Sequence, residues 1–158
     1  MDMLSVALSG LVGVVFGSVV TLLDERRRIH RDEMGAGRAL YFEMAKNTVY
    51  LKGMTGRSPL TDLSHGTWDA TQSNVASLLT PRDLKVVAEA YTMLALCQAN
   101  VDAARERGSL VSVNDQNIWA LGHNSFIDGV MVLRRTAWSK KDQKELAKPP
   151  YAQDQVAG

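Results

Sequence analysis

Hydrophobic and polar positions divide the chain into one unbroken apolar run followed by segments with helical periodicity. Leu4 to Leu23 reads LSVALSGLVGVVFGSVVTLL and carries no charge. Twenty residues at a helical rise of 1.5 Å cover roughly 30 Å, the thickness of a hydrocarbon core. The run therefore predicts a transmembrane helix over 4–23. A secretory signal peptide would carry basic residues before its apolar core and a small-residue cleavage site after it. Here Met1-Asp2-Met3 precedes the run and Asp24-Glu25 follows it directly. A buried core helix is usually shorter and more often interrupted by polar residues.

Behind the run the apolar residues recur at three and four. Met34, Gly37, Tyr41, Met44, Thr48 and Leu51 form one face, with Leu40 beside them, and predict a long juxtamembrane helix to about residue 53 that is continuous with the span. Gly35 and Gly37 mark a bend or a close helix contact within it. Gly53, Gly56 and Pro59 end it. Trp68, Val75, Leu78 and Leu79 predict a short helix from about 65 to 79. Thr80-Pro81-Arg82-Asp83 is a strong start signal: a capping Thr, Pro in the first turn and an acid at the third position. Leu84, Val87, Tyr91, Leu94, Gln98 and Val101 follow at helical spacing, with Ala88, Ala95 and Ala99 widening that face. Gly108 closes the helix. Ser109 to Val113 alternates but has no partner strand and reads as a linker. Asn114 or Asp115 caps a last helix whose face is Ile118, Leu121, Ser125, Gly129, Val132 and Thr136. From Ser139 the pattern fades, and 139–158 reads as a mobile polar tail.

The predicted fold is thus all-α: one N-terminal transmembrane helix followed by a small cytoplasmic bundle of three to four helices over 24–138. The roughly 135 residues after the span suffice for one small core.

Two patterns at the membrane segment bear on function. Ser5, Ser9, Gly13, Gly17 and Thr21 repeat at intervals of four, so they form a strip of small residues on one side of the span. Such strips let helix backbones approach closely in lipid, which makes the strip a candidate packing face. Arg26, Arg27, Arg28 and Arg31 follow the span, and no Lys or Arg precedes it. Cationic residues gather on the cytoplasmic side, so the N-terminus is expected outside and the body in the cytoplasm of a single-pass cell-membrane protein. Asp24, Glu25, Asp32 and Glu33 dilute this cluster as a lipid-binding patch. The layout over residues 4–53 resembles that of small single-span bacterial or phage proteins.

Composition narrows the chemistry. Eighteen Lys and Arg against 17 Asp and Glu give a net charge of +1, without the basic excess of a nucleic-acid binder. A single cysteine allows no internal disulfide and no multi-thiolate zinc site. His30, His65 and His123 stand without a second His at helical spacing, and H-E-x-x-H, C-x-x-C and glycine-rich phosphate loops do not occur. His65 with Asp69 or Asp62 is the nearest approach to a polar site. Cys97 lies in an apolar stretch and reads as a core thiol. Trp138, beside Lys140 and Lys141, reads as a bundle anchor with the membrane interface as its other possible setting.

These features predict a non-enzymatic protein without cofactor or small-molecule substrate. It would be a membrane-anchored scaffold or accessory subunit that binds other proteins or its own copies through the span and the bundle. The alternative is a phage-type holin or other membrane-permeabilising protein that acts by oligomerising.

Overall fold

The computed structural model describes the backbone of residues 3–55, 60–108 and 112–146, with side chains of the first stretch described from 17 to 54. The regular structure among these residues is all helical, without a strand, in the order α1 (Met3–Thr55), α2 (Gly66–Leu78), α3 (Pro81–Glu106), α4 (Val113–Ala137) and α5 (Lys140–Leu146).

α1 runs unbroken through the predicted membrane and juxtamembrane segments, 53 residues in all and therefore about 80 Å long. It has two regimes. Residues 17–32 are all exposed, and burial begins only at Glu33 and Met34. From there α1 packs mainly on α4, α4 packs on α3, and α2 lies along α1 while barely touching α3. The predicted span falls on the first regime. Residues 4–16, most of that span, have side chains outside the described residues. Among the described residues no helix is long and apolar enough to cross a membrane.

The start and stop signals of α3 operate as the sequence predicts. The Thr80 hydroxyl accepts the Asp83 N–H at 3.2 Å, and Gly108 takes a positive φ of 74° just beyond the helix, which glycine adopts without steric cost. The Asp83 carboxylate pairs with Arg135 of α4, tying the start of α3 to the end of α4. The start of α4 differs from expectation. Ser112, not Asn114 or Asp115, is the cap. Its hydroxyl accepts the Asp115 N–H, and the Asp115 carboxylate accepts the Ser112 N–H, a reciprocal capping box.

The face that α4 buries is turned from the expected one. Gly129 and Val132 of the expected face are buried, together with Trp119, Gly122, Phe126, Leu133 and Ala137, whereas Leu121 is exposed. The physical reason is close approach. A Cβ at Gly122 would sit 2.5 Å from the Cys97 sulfur, and one at Gly129 would sit 2.2 Å from Met44 Cε. The glycines admit neighbouring side chains to the α4 backbone, while Trp119 and Phe126 fill the space between them, both fully buried. In α1, Gly37 is likewise a contact point, with Leu78 and Ala137 at 2.8 and 3.0 Å from a notional Cβ, while Gly35 has nothing within 4 Å.

α5 forms seven residues of helix where the periodicity faded. The Ser139 hydroxyl accepts the Asp142 N–H at 3.2 Å. The Gln143 side-chain amide donates to the Trp138 carbonyl at 2.8 Å. Residues 147–158 of the expected polar tail lie outside the described residues.

Candidate functional site

The site is organised around a carboxylate that the hydrophobic pattern of α1 does not reveal. Glu43 and Asn47 point into the bundle, 7% and 0% exposed. Glu43 meets the start of α2, whose own cap position, His65, makes no side-chain capping bond. Glu43 Oε2 accepts the Thr67 N–H at 2.8 Å and the Ser64 hydroxyl at 3.0 Å. Oε1 accepts the Trp68 N–H at 3.3 Å and the Tyr91 hydroxyl at 2.6 Å. A residue of α1 thus caps α2 from outside, and its negative charge faces the positive end of the α2 dipole. Burial pushes the Glu43 carboxyl up. The bonds from Tyr91, Thr67 and Ser64 outweigh it and hold the group below its ordinary value. Burial, then the adjoining Glu43 carboxylate, raise the Tyr91 hydroxyl well above its ordinary value.

The segment before α2 is fastened just as closely. Asn47 pairs with the backbone of Ser64 in both directions, donating to its carbonyl at 2.6 Å and accepting its N–H at 2.9 Å. Gln98 of α3 accepts the Leu63 N–H at 2.9 Å. Arg105 reaches Asp62 at 2.6 Å and the Leu60 carbonyl at 3.3 Å. Buried amides and carbonyls need such partners. Here α1 and α3 supply them, so α2 is set from its N-terminal end.

This anchoring leaves a groove of about 660 Å³ between the α2 entrance and α3. Trp68 stacks on Tyr91 at 4.9 Å between ring centroids, nearly parallel, and Tyr91 in turn meets Phe126 edge-on at 5.5 Å. Leu63 and Leu94 add to the apolar lining. Ala95 and Ala99 are exposed in the groove, although the sequence pattern assigned them to the buried face of α3. His65 and Asp69 do come together, with Nδ1 and Oδ2 2.7 Å apart. Asp62 does not join them, because it is engaged by Arg105. The Thr92 hydroxyl on the α3 wall donates to the Ala88 carbonyl of its own helix at 3.0 Å. Among the described residues no group of three His, Cys, Asp or Glu side chains is placed to hold a metal ion.

The remaining polar candidates have structural partners. His123 Nδ1 lies 3.0 Å from the Thr48 carbonyl. His30 lies 3.8 Å from Glu33 on the exposed stalk. Cys97 is buried, its thiol pushed up to about 11 by burial, and it donates to the Ile118 carbonyl at 3.6 Å. Asp115 is held down at about 2. Burial opposes that charge, but the Ser112 N–H, the Asn100 amide and Arg107 overcome it, the last two at 2.8 Å each. Trp138 packs in the bundle, edge-on to Tyr41 and Phe42 and under the Arg38 guanidinium. Arg38 also donates to the Ala137 carbonyl at 3.1 Å, which satisfies a terminal carbonyl of α4.

Of the predicted membrane strip, Ser5, Ser9 and Gly13 have side-chain positions outside the described residues. Gly17 opens onto free space. The Thr21 hydroxyl donates to the Gly17 carbonyl at 2.9 Å within the helix. Arg26, Arg27, Arg28 and Arg31 are all exposed, with Arg28 3.1 Å from Glu25 and Arg27 3.9 Å from Asp24. Phe42, Val49, Ile127 and Met131 are exposed apolar side chains on α1 and α4. Compared with known proteins, the chain matches no family model, no curated protein and no solved structure.

Proposed function

We propose that this protein is a single-pass membrane anchor that presents a helical bundle to other proteins, as a scaffold or accessory subunit without catalytic activity of its own. The observation that carries the reading is the form of α1. From Glu33 onward it is built into the bundle, whereas the uncharged Leu4–Leu23 run lies on the part before that. Val19, Val20, Leu22 and Leu23, at the end of that run, are exposed. A row of exposed apolar side chains on an extended helix is stable when something apolar surrounds it, and the run has the length of a lipid core. Asp24 to Asp32 then act as a charged stalk of about 15 Å between the lipid and the bundle.

The arginine asymmetry supports an outside N-terminus and a cytoplasmic bundle. The small-residue strip on the span would contact a second span, from another copy or from a partner. The groove and the α1/α4 surface supply apolar area for recognition.

Cell fractionation tests the anchor. The full-length protein is expected in the membrane pellet after an alkaline carbonate wash, with a C-terminal reporter on the cytoplasmic side. Recovery in the supernatant would overturn the reading. Dye leakage on expression, abolished by Gly13→Leu with Gly17→Leu, would replace it with membrane permeabilisation by oligomers.

A further inference from the structure

The groove between the α2 entrance and α3 has the dimensions and chemistry of a helix-binding site, and we infer that it receives a cationic amphipathic helix from a partner protein. This names the kind of partner for the proposed scaffold's bundle. It does not depend on the bundle being anchored in a membrane.

Three observations carry it. First, the α3 wall is a strip. Ala88, Thr92, Ala95, Ala99 and Asp102 all line the groove, and their 4-3-4-3 spacing places them along one helix face. They span 15 residues, a rise of about 21 Å, the length of a four-turn helix. Alanine and threonine side chains are short enough for a second helix to lie close against that wall.

Second, the opposite wall stops short. α2 packs far more on α1 than on α3; Glu43 and Asn47 of α1 fasten its beginning, while Gln98 and Arg105 of α3 hold the residues before it. The bundle keeps an open groove between them, with Trp68 stacked on the buried Tyr91 at its floor. An incoming apolar stripe would cover the half-buried Trp68 and the exposed Ala95 and Ala99, the helix-in-groove mode of recognition.

Third, carboxylates outnumber cations there. Asp69 on the α2 side and Asp102 on the α3 side line the groove, and no Lys or Arg does. Asp69 lies 2.7 Å from His65, and Arg105, 3.6 Å from Asp102, is shared with Asp62 at 2.6 Å. Both groove carboxylates are more than half exposed. Asp102 stands eleven residues beyond Tyr91, about 16 Å along α3, while Asp69 is close enough to raise the Tyr91 hydroxyl. The two carboxylates thus flank the apolar floor at separated points. A helix with an apolar stripe and Lys or Arg on both sides of it satisfies both carboxylates. An acidic helix is repelled at both ends.

Site-specific photo-crosslinking of the full-length protein in its source cells tests this. A photoreactive phenylalanine analogue is placed at exposed Ala95 in the groove and, as a control, at exposed Val49 on the α1/α4 surface. The expected result is an adduct from position 95, absent from position 49. Mass spectrometry should map it to a partner segment with helical apolar periodicity and an excess of Lys and Arg. Asp69→Asn with Asp102→Asn should reduce its yield about tenfold, with unchanged circular dichroism. An adduct to a second copy, to lipid or to an acidic or uncharged segment would overturn the proposal. So would no adduct, or a yield indifferent to the paired Asn substitutions. Fractionating the same cells keeps the two readings apart: a soluble protein with the expected adduct removes the anchor and leaves the groove, and a membrane protein without it does the reverse.

Discussion

Replacing Glu43 by Ala removes the acceptor of four hydrogen bonds at once and tests whether α2 is held from α1. Two losses dominate. The Tyr91 hydroxyl, in a residue only 7% exposed, would lose its partner without access to water, at about 1–3 kcal/mol for a stranded buried donor. The first-turn amides of α2 would lose a cap worth about 1 kcal/mol. Together they give about 3 kcal/mol of destabilisation. Glu43→Gln keeps the volume and one acceptor oxygen and should cost roughly half as much. Tyr91→Phe removes one bond and leaves the other three, at about 1 kcal/mol. Because Glu43 and Tyr91 touch, the Glu43→Gln/Tyr91→Phe double variant should fall short of additivity by at least about 0.5 kcal/mol. The assay is urea unfolding of the full-length protein in mild detergent, followed by near-UV circular dichroism and tryptophan fluorescence, which report on the bundle rather than on the extended part of α1. A loss below about 1 kcal/mol for Glu43→Ala, or strict additivity in the cycle, would refute the argument.

Other expectations follow from the same geometry. The depressed carboxyls of Asp115 and Glu43 contribute stability that is present above their unfolded values of 3.8 and 4.5 and is lost as pH falls through their folded ones. The urea midpoint should therefore drop from about pH 4.5 down towards pH 2, and a flat acid limb would contradict the assignment. Tyr91, raised above 10.0, acts in the opposite sense: its contribution is intact below pH 10 and lost as pH rises beyond it, so Tyr91→Phe should flatten the alkaline limb. Gly122→Ala should destabilise by about 1–3 kcal/mol, since the Cys97 sulfur is too short a group to withdraw from the new Cβ. Gly35→Ala, with nothing within 4 Å, should stabilise by up to about 1 kcal/mol through helix propensity; thermal melts of the two variants that moved together would contradict the packing. The Cys97 thiol, buried and raised to about 11, should react with iodoacetamide at pH 8 much more slowly in the folded protein than in urea, and equal rates would show the site to be open.

Features governed by neighbours in sequence were legible without coordinates. The Thr80-Pro81 start and the Gly108 stop of α3 depend on backbone groups within a few residues, and the helix obeys both. The all-helical character follows from periodicity, and His65 meeting Asp69 follows from a spacing of four residues. The core of the candidate site was not legible. Nothing in the local sequence marks Glu43 and Asn47 as buried, and only the passage of α1 across the start of α2 makes them partners for amides 17 to 25 residues away. Ala95 and Ala99 look like core residues on α3, yet they line a groove because α2 is drawn towards α1 instead. In α4 the sequence pattern placed Gly129 on the inner face, where it is buried, but it favoured Leu121, whereas packing turned Gly122 inward, because glycine gives the Cys97 sulfur room against the helix backbone. Local sequence decides where each helix begins and ends, since its determinants are a few bonds apart. Which face is buried, and where a groove remains, depends on contacts that exist only once distant segments have met.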